Sequence, residues 1–169
     1  MNPESILTSM TQTSQAIRSL ASGISDEQAR WKPAPDSWSI LEVLCHLLDE
    51  ERYDFRVRLD FILHKPGQPW PPIDPQGWVS ARHYNEQDPA EILGKWLQER
   101  QASLEWLRSL NTPDWQSAEQ APWGALHAGD MLASWAAHDL LHLRRLVELR
   151  YANHNLQAQP YSPAYAGDW

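Results

Sequence analysis

A single cysteine, Cys45, is all the thiol this chain has. No disulfide can close within it, and a lone thiol suits a reducing cytoplasm. Basic residues are also scarce: 14 Lys and Arg stand against 22 Asp and Glu, for a formal charge of −8, and the cations form no stripe. An acidic surface repels phosphate backbones, so nucleic acid is not an expected partner. No apolar stretch reaches the ~18–20 residues that a membrane span requires. The start, Met1-Asn2-Pro3-Glu4-Ser5, has neither a basic segment nor an apolar run, and no signal peptide is expected. Also missing are H-E-x-x-H, G-x-S-x-G, a Walker loop and a dinucleotide fingerprint, which removes the commonest zinc-protease, serine-hydrolase and nucleotide arrangements.

What remains is one ordinary domain. The 169 residues are 42% hydrophobic and 21% charged, enough apolar material for one sizeable core. The reading is a single domain over 1–169, with a bundle at about 2–152 and a tail at 153–169. Ten tryptophans supply either a large aromatic core or the lining of a pocket.

Four long segments read as amphipathic helices. The first has Asn2 as N-cap and Pro3 at the first helical position, with Ile6, Leu7, Met10, Ile17 and Leu20 at helical spacing before Gly23. A short turn of helix follows Ser25. The second long helix opens at Ser39 with Glu42 completing a capping box, and its apolar stripe runs from Leu41 to Ile62. The third opens at Asp88-Pro89-Ala90-Glu91 and ends at Asn111-Thr112-Pro113; the fourth runs from Asp130 to about Tyr151. Strand signals are nearly absent. The expected fold is all-α, a four-helix bundle. The stretch from His64 to Gln87 is long enough for a crossover along the bundle that leaves helices two and three parallel. Aromatic residues in the tail, Tyr161, Tyr165 and Trp169, are expected to dock on the bundle.

Histidines carry the functional reading. His138 and His142 lie four residues apart, one turn along one helix face, within reach of a single ion. Trp135, Met131 and Leu149 share that face, so both rings point inward. Buried imidazoles need partners: a shared metal is one solution, and hydrogen bonds to backbone or carboxylate are the ordinary alternative. His46, in the middle of helix two, has Asp49 and Glu50 at i+3 and i+4. Those acids offer a general base or a hydrogen-bond partner for a ligand histidine. The run Asp49-Glu50-Glu51 taken together reads more simply as a solvated acidic face. Asp139 points about 100° away from His138. Cys45, in phase with Leu41 and Leu48, reads as a buried structural thiol.

Trp31-Lys32-Pro33 and Ser37-Trp38-Ser39-Ile40-Leu41-Glu42-Val43-Leu44, leading into His46-Leu47 and Asp49, resemble the opening signature of the DinB-like (DinB/YfiT) superfamily. Gly129-Asp130-Met131-Leu132, Trp135, Ala137-His138-Asp139 and His142-Leu143 are similar to its last-helix signature. The resemblance spans the chain from the first helix to about Tyr151. It implies a four-helix bundle with a long crossover and a metal triad, which falls here on His46, His138 and His142. All-imidazole ligation suits a divalent transition metal, zinc or nickel first, with iron, cobalt or copper as alternatives. Three protein ligands leave a position open for water, a substrate oxygen or a thiolate. The resemblance therefore implies a metal-dependent enzyme acting on a small molecule, as a hydrolase or as a transferase using a low-molecular-weight thiol. The rival is a noncatalytic metal- or ligand-binding stress-related protein. A leftover apolar helix face would also allow a homodimer.

Overall fold

The computed structural model describes residues 2–122 and 124–167. Helix α1, Pro3–Ala21, starts where the Asn2 side chain accepts the Ser5 amide, and Gly23 adopts φ +72° just beyond its end. That left-handed backbone is one that glycine takes without strain. A short helix, α2 (Asp26–Arg30), is capped by Ser25. Next comes α3, Ile40–Tyr53, with the complete capping box between Ser39 and Glu42.

The second long helix is bent rather than straight. Asp54 has φ −116° and ψ −90°, and the chain resumes as α4, Phe55–His64. The ladder survives the bend: the Asp54 amide still donates to the Glu50 carbonyl at 3.1 Å, and Arg58 to Asp54 at 2.8 Å. The long connection is not structureless either. It holds α5 (Pro75–Ala81) and a 3-10 turn at Tyr84–Glu86 before α6, Pro89–Ser109, capped by Asp88.

A hairpin departs from the expectation of no strands. Strand β1 (Ala118–Ala121) pairs antiparallel with β2 (Gly124–His127). Each strand is only four residues long, too short for an alternating pattern to stand out. The last helix, α7, extends past both expected ends, from Ala128 to Gln157. His127 is its N-cap and Asp130 its third residue, with the two side chains forming a reciprocal cap. The tail also departs from expectation. Tyr161 and Tyr165 are exposed at 81% and 105%, so neither docks, while Trp169 lies outside the described residues. Polar neighbours and two prolines leave this segment little apolar area with which to offset the entropy of docking.

Two apolar clusters fill the bundle. One gathers Ile17, Leu41, Leu44, Leu48, Trp96, Leu146 and Leu149. The other gathers Leu7, Met10, Phe55, Leu59, Leu104, Leu107, Leu132 and Trp135. Helices α3–α4 and α6 pass through the clusters in that order, whereas α1 and α7 pass through them in reverse. Buried polar residues sit between the clusters on every long helix: Thr13 and Ser14, then His46 to Glu51, then Arg100 and Ser103, then Asp139. The fold thus brackets a polar level between two mainly apolar ends. No described helix is long and apolar enough to cross a membrane.

Candidate metal centre

At that polar level the three predicted histidines meet. The His46 Nε2 lies 3.1 Å from the His138 Nε2, which lies 3.1 Å from the His142 Nε2. Helix α3 supplies the first ring and successive turns of α7 the other two. Trp38 lies against one side of the cluster, 5.0 Å from the His46 ring and stacked on His142 at 6.5 Å. Phe55, just past the bend, approaches the His138 ring at 4.9 Å. Aromatic side chains flank the rings on two sides; His46 is buried, and His138 and His142 are half-buried.

Burial lowers the basicity of all three. His46 is held down at about 3, with help from the nearby His142, and His142 at about 4 by burial alone. His138 is pushed to about 2 by burial, its two histidine neighbours and Arg100. The rings are therefore neutral at ordinary pH, each with one N–H and one lone pair. His138 Nε2 can either accept or donate. A simple chain of hydrogen bonds cannot satisfy both of its contacts well, because that nitrogen offers either one lone pair or one hydrogen to two neighbours.

A cation resolves that conflict. Ligand nitrogens about 2.05 Å from a tetrahedral zinc lie ~3.3 Å apart, close to the separations found here. On the far side of their rings, His46 Nδ1 and His142 Nδ1 are buried without a hydrogen-bond partner. The donor set fits a divalent transition metal held through Nε2.

The acidic run does not form a solvated face. Asp49, Glu50 and Glu51 are 7%, 5% and 1% exposed. Each has left water for a different reason. Asp49 accepts the Tyr84 hydroxyl at 2.5 Å and pairs with Arg82 at 2.7 Å, which turns it toward the crossover segment. Glu51 is gripped by Arg100 and by the Trp135 indole N–H. Glu50 alone faces the cluster, its Oε1 3.9 Å from His46 Nδ1 and without a hydrogen bond. Burial, then the neighbouring Asp54, pushes the Glu50 carboxyl up to about 8. Of the two acids expected near His46, the structure brings Glu50 to it and engages Asp49 elsewhere. Cys45 is buried, its thiol pushed up to about 12 by burial and by Asp49 and Glu42, so it is a packed group rather than a nucleophile.

Sequence reasoning passed over Trp38 as a wall of the site and Arg100 as a buried cation. The second had a visible signal. Arg100 falls at helical spacing with Leu93, Trp96, Leu104 and Leu107, on the apolar stripe of α6. Of the remaining histidines, His64 pairs with Asp60, His83 with Glu86 and His127 with Asp130, each within its own stretch of chain, and His154 is exposed near the end of α7.

Fold and site together define a helical bundle with an inward-facing three-histidine cluster. The chain belongs to the DinB superfamily, whose family model matches residues 9–146. Among solved structures it is similar to YfiT from Bacillus subtilis, described as a probable metal-dependent hydrolase with an unusual four-helix bundle topology. That likeness has a TM-score of 0.76 over 87% of this chain and 85% of the other, at 16% identity. It therefore speaks for the fold. No curated protein gives a significant match.

Proposed function

We propose that the chain is a metal-dependent enzyme acting on a small molecule, as a hydrolase first and as a thiol S-transferase second. The observation that carries this reading is the convergence of three neutral imidazole nitrogens that cannot all satisfy one another. Membership of the DinB superfamily and the description given to YfiT support it.

His46, His138 and His142 would hold the ion through Nε2. A divalent transition metal there, zinc or nickel first, supplies Lewis acidity, polarising a substrate oxygen and lowering the pKa of a water or thiol beside it. The protein's own groups do the rest. With Nε2 committed, the His46 proton would sit on Nδ1 and face Glu50, whose nearer oxygen is 3.9 Å away. Burial holds that carboxyl up at about 8, so near neutral pH it carries a proton to give. Trp38 and Phe55 limit solvent around the rings, which strengthens every electrostatic interaction among them.

Elemental analysis of the purified protein beside His142→Ala tests the assignment. One equivalent of a divalent transition metal in the wild type, lost in the variant, is expected. Equal content in both rejects the ligand set. Loaded protein is then offered activated esters, and separately an electrophile with a low-molecular-weight thiol. Turnover without thiol identifies a hydrolase, and turnover only with thiol identifies a transferase. No turnover on any substrate, with metal bound, leaves the noncatalytic binding protein.

A further inference from the structure

A second polar cluster lies beside the histidines. Arg100, 2% exposed, donates its Nε to Glu51 Oε1 at 3.0 Å and one terminal nitrogen to Glu51 Oε2 at 2.6 Å. The same guanidinium holds both oxygens of Asp139, one of them at 2.9 Å. Glu51 and Asp139 are each 1% exposed. Trp135 Nε1 completes the set with a 3.1 Å hydrogen bond to Glu51.

We infer that Arg100 is a positioning residue for the histidine cluster: its fork sets the rotation of α3 against α7 and so the spacing of the three ring nitrogens. This rests on the metal-site reading above. Glu51 and Asp139 lie on the two helices that carry His46, His138 and His142, and Asp139 is the immediate neighbour of His138. The third helix, α6, supplies none of the three histidines and bridges the other two through Arg100. Planarity matters here. Two carboxylates held in the plane of one guanidinium cannot turn independently. A ring nitrogen ~6 Å from its helix axis moves about 1 Å when the helix turns 10°. Metal–ligand distances tolerate only about 0.2 Å.

A second route reaches the same ring. Trp135 stacks on Phe55 at 5.9 Å, and Phe55 contacts His138 at 4.9 Å. Stability alone does not explain the cluster, because apolar residues of like volume commonly replace a buried ion network without loss. What an apolar patch lacks is direction.

The test compares wild type with the triple variant Glu51→Met, Arg100→Met, Asp139→Leu. Thermal unfolding of the metal-free proteins is measured first, then cobalt(II) affinity and the d–d absorption of the bound cobalt. The expected variant is folded, melts no lower than wild type, binds cobalt about 10–100-fold more weakly and shows a displaced d–d band. Unchanged affinity and spectrum would overturn the inference while leaving the metal site intact. A wild type that binds no cobalt would remove the metal-site reading, and the inference with it. Should the triple variant fail to fold, Arg100→Lys decides, since it keeps the charge and loses the fork: weakened binding with a changed spectrum supports the inference, and wild-type behaviour overturns it.

Discussion

Two polar islands share the middle of this bundle, and they are built on opposite terms. Around Arg100 every charged oxygen and donor has a partner, with two carboxylates closed over one guanidinium. Around His46, His138 and His142 the rings press together, yet two outer nitrogens and a nearby carboxylate oxygen go unpartnered. Both islands are shielded by the same helices, so burial alone does not explain the difference. A buried group that is fully satisfied needs nothing further. A buried group left short calls for an explanation, and here three such atoms, His46 Nδ1, His142 Nδ1 and Glu50 Oε1, gather at one cluster.

The contrast breaks most sharply at the central ring. His138→Ala removes the nitrogen in contact with both others and is expected to weaken binding of zinc by on the order of 10⁴-fold, read by competition with a chromophoric chelator. Metal-free His138→Ala should fold at least as well as wild type, because a crowded imidazole has gone. Arg100→Ala should do the reverse. It leaves two carboxylates buried without their cation and is expected to cost about 3–5 kcal/mol in urea unfolding. A cost under 1 kcal/mol would mean that water enters that island freely.

Acid separates the islands next. The histidine pKa values are lowered in the folded protein, so below the unfolded value of 6.5 the unfolded chain binds more protons than the folded one. The histidines' contribution to the stability of the metal-free protein is then full above pH 6.5 and falls as the pH drops toward about 4, where His142 begins to titrate in the folded state. Glu50, held up at about 8, opposes part of that fall. The first unit, from 6.5 to 5.5, is expected to remove up to about 3 kcal/mol for three histidines. Melting curves of wild type and His138→Ala across that range give the check, since the variant should show the shallower slope. Glu50→Ala is a smaller change. It takes away the carboxylate facing His46 and should lower metal affinity about 10–100-fold with little effect on the fold. Smallest of all, Tyr161→Ala in the exposed tail should shift stability by less than about 0.5 kcal/mol.

What the sequence disclosed was mostly local. Asn2, Ser39 and Asp88 cap their helices as read, because a cap involves residues three apart. The four-helix architecture followed from apolar spacing, and the pairing of His138 with His142 from helical geometry. Bringing His46 to them took the family resemblance, since no periodicity in α3 says which ring in α7 it will meet. Failures share a cause as well. Asp49, Glu50 and Glu51 looked like a wet face because their partners, Arg82, Tyr84, Arg100 and Trp135, are distant in sequence. The bend at Asp54 has no proline or glycine to announce it. His127 was passed over as a cap because its reciprocal bond with Asp130 replaces the usual serine or aspartate.

Helix α7 runs thirty residues, and both of its cluster histidines sit well inside it, ten residues from one end and fifteen from the other. Fraying works inward from helix ends and dies away within a turn or two. Amide exchange should accordingly be fast near Ala128 and Gln157 and slowest in the turns holding His138 and His142. Two of the three cluster histidines are therefore insulated from the commonest motion a helix makes, and trimming the chain after Gln157 should leave the ring geometry untouched.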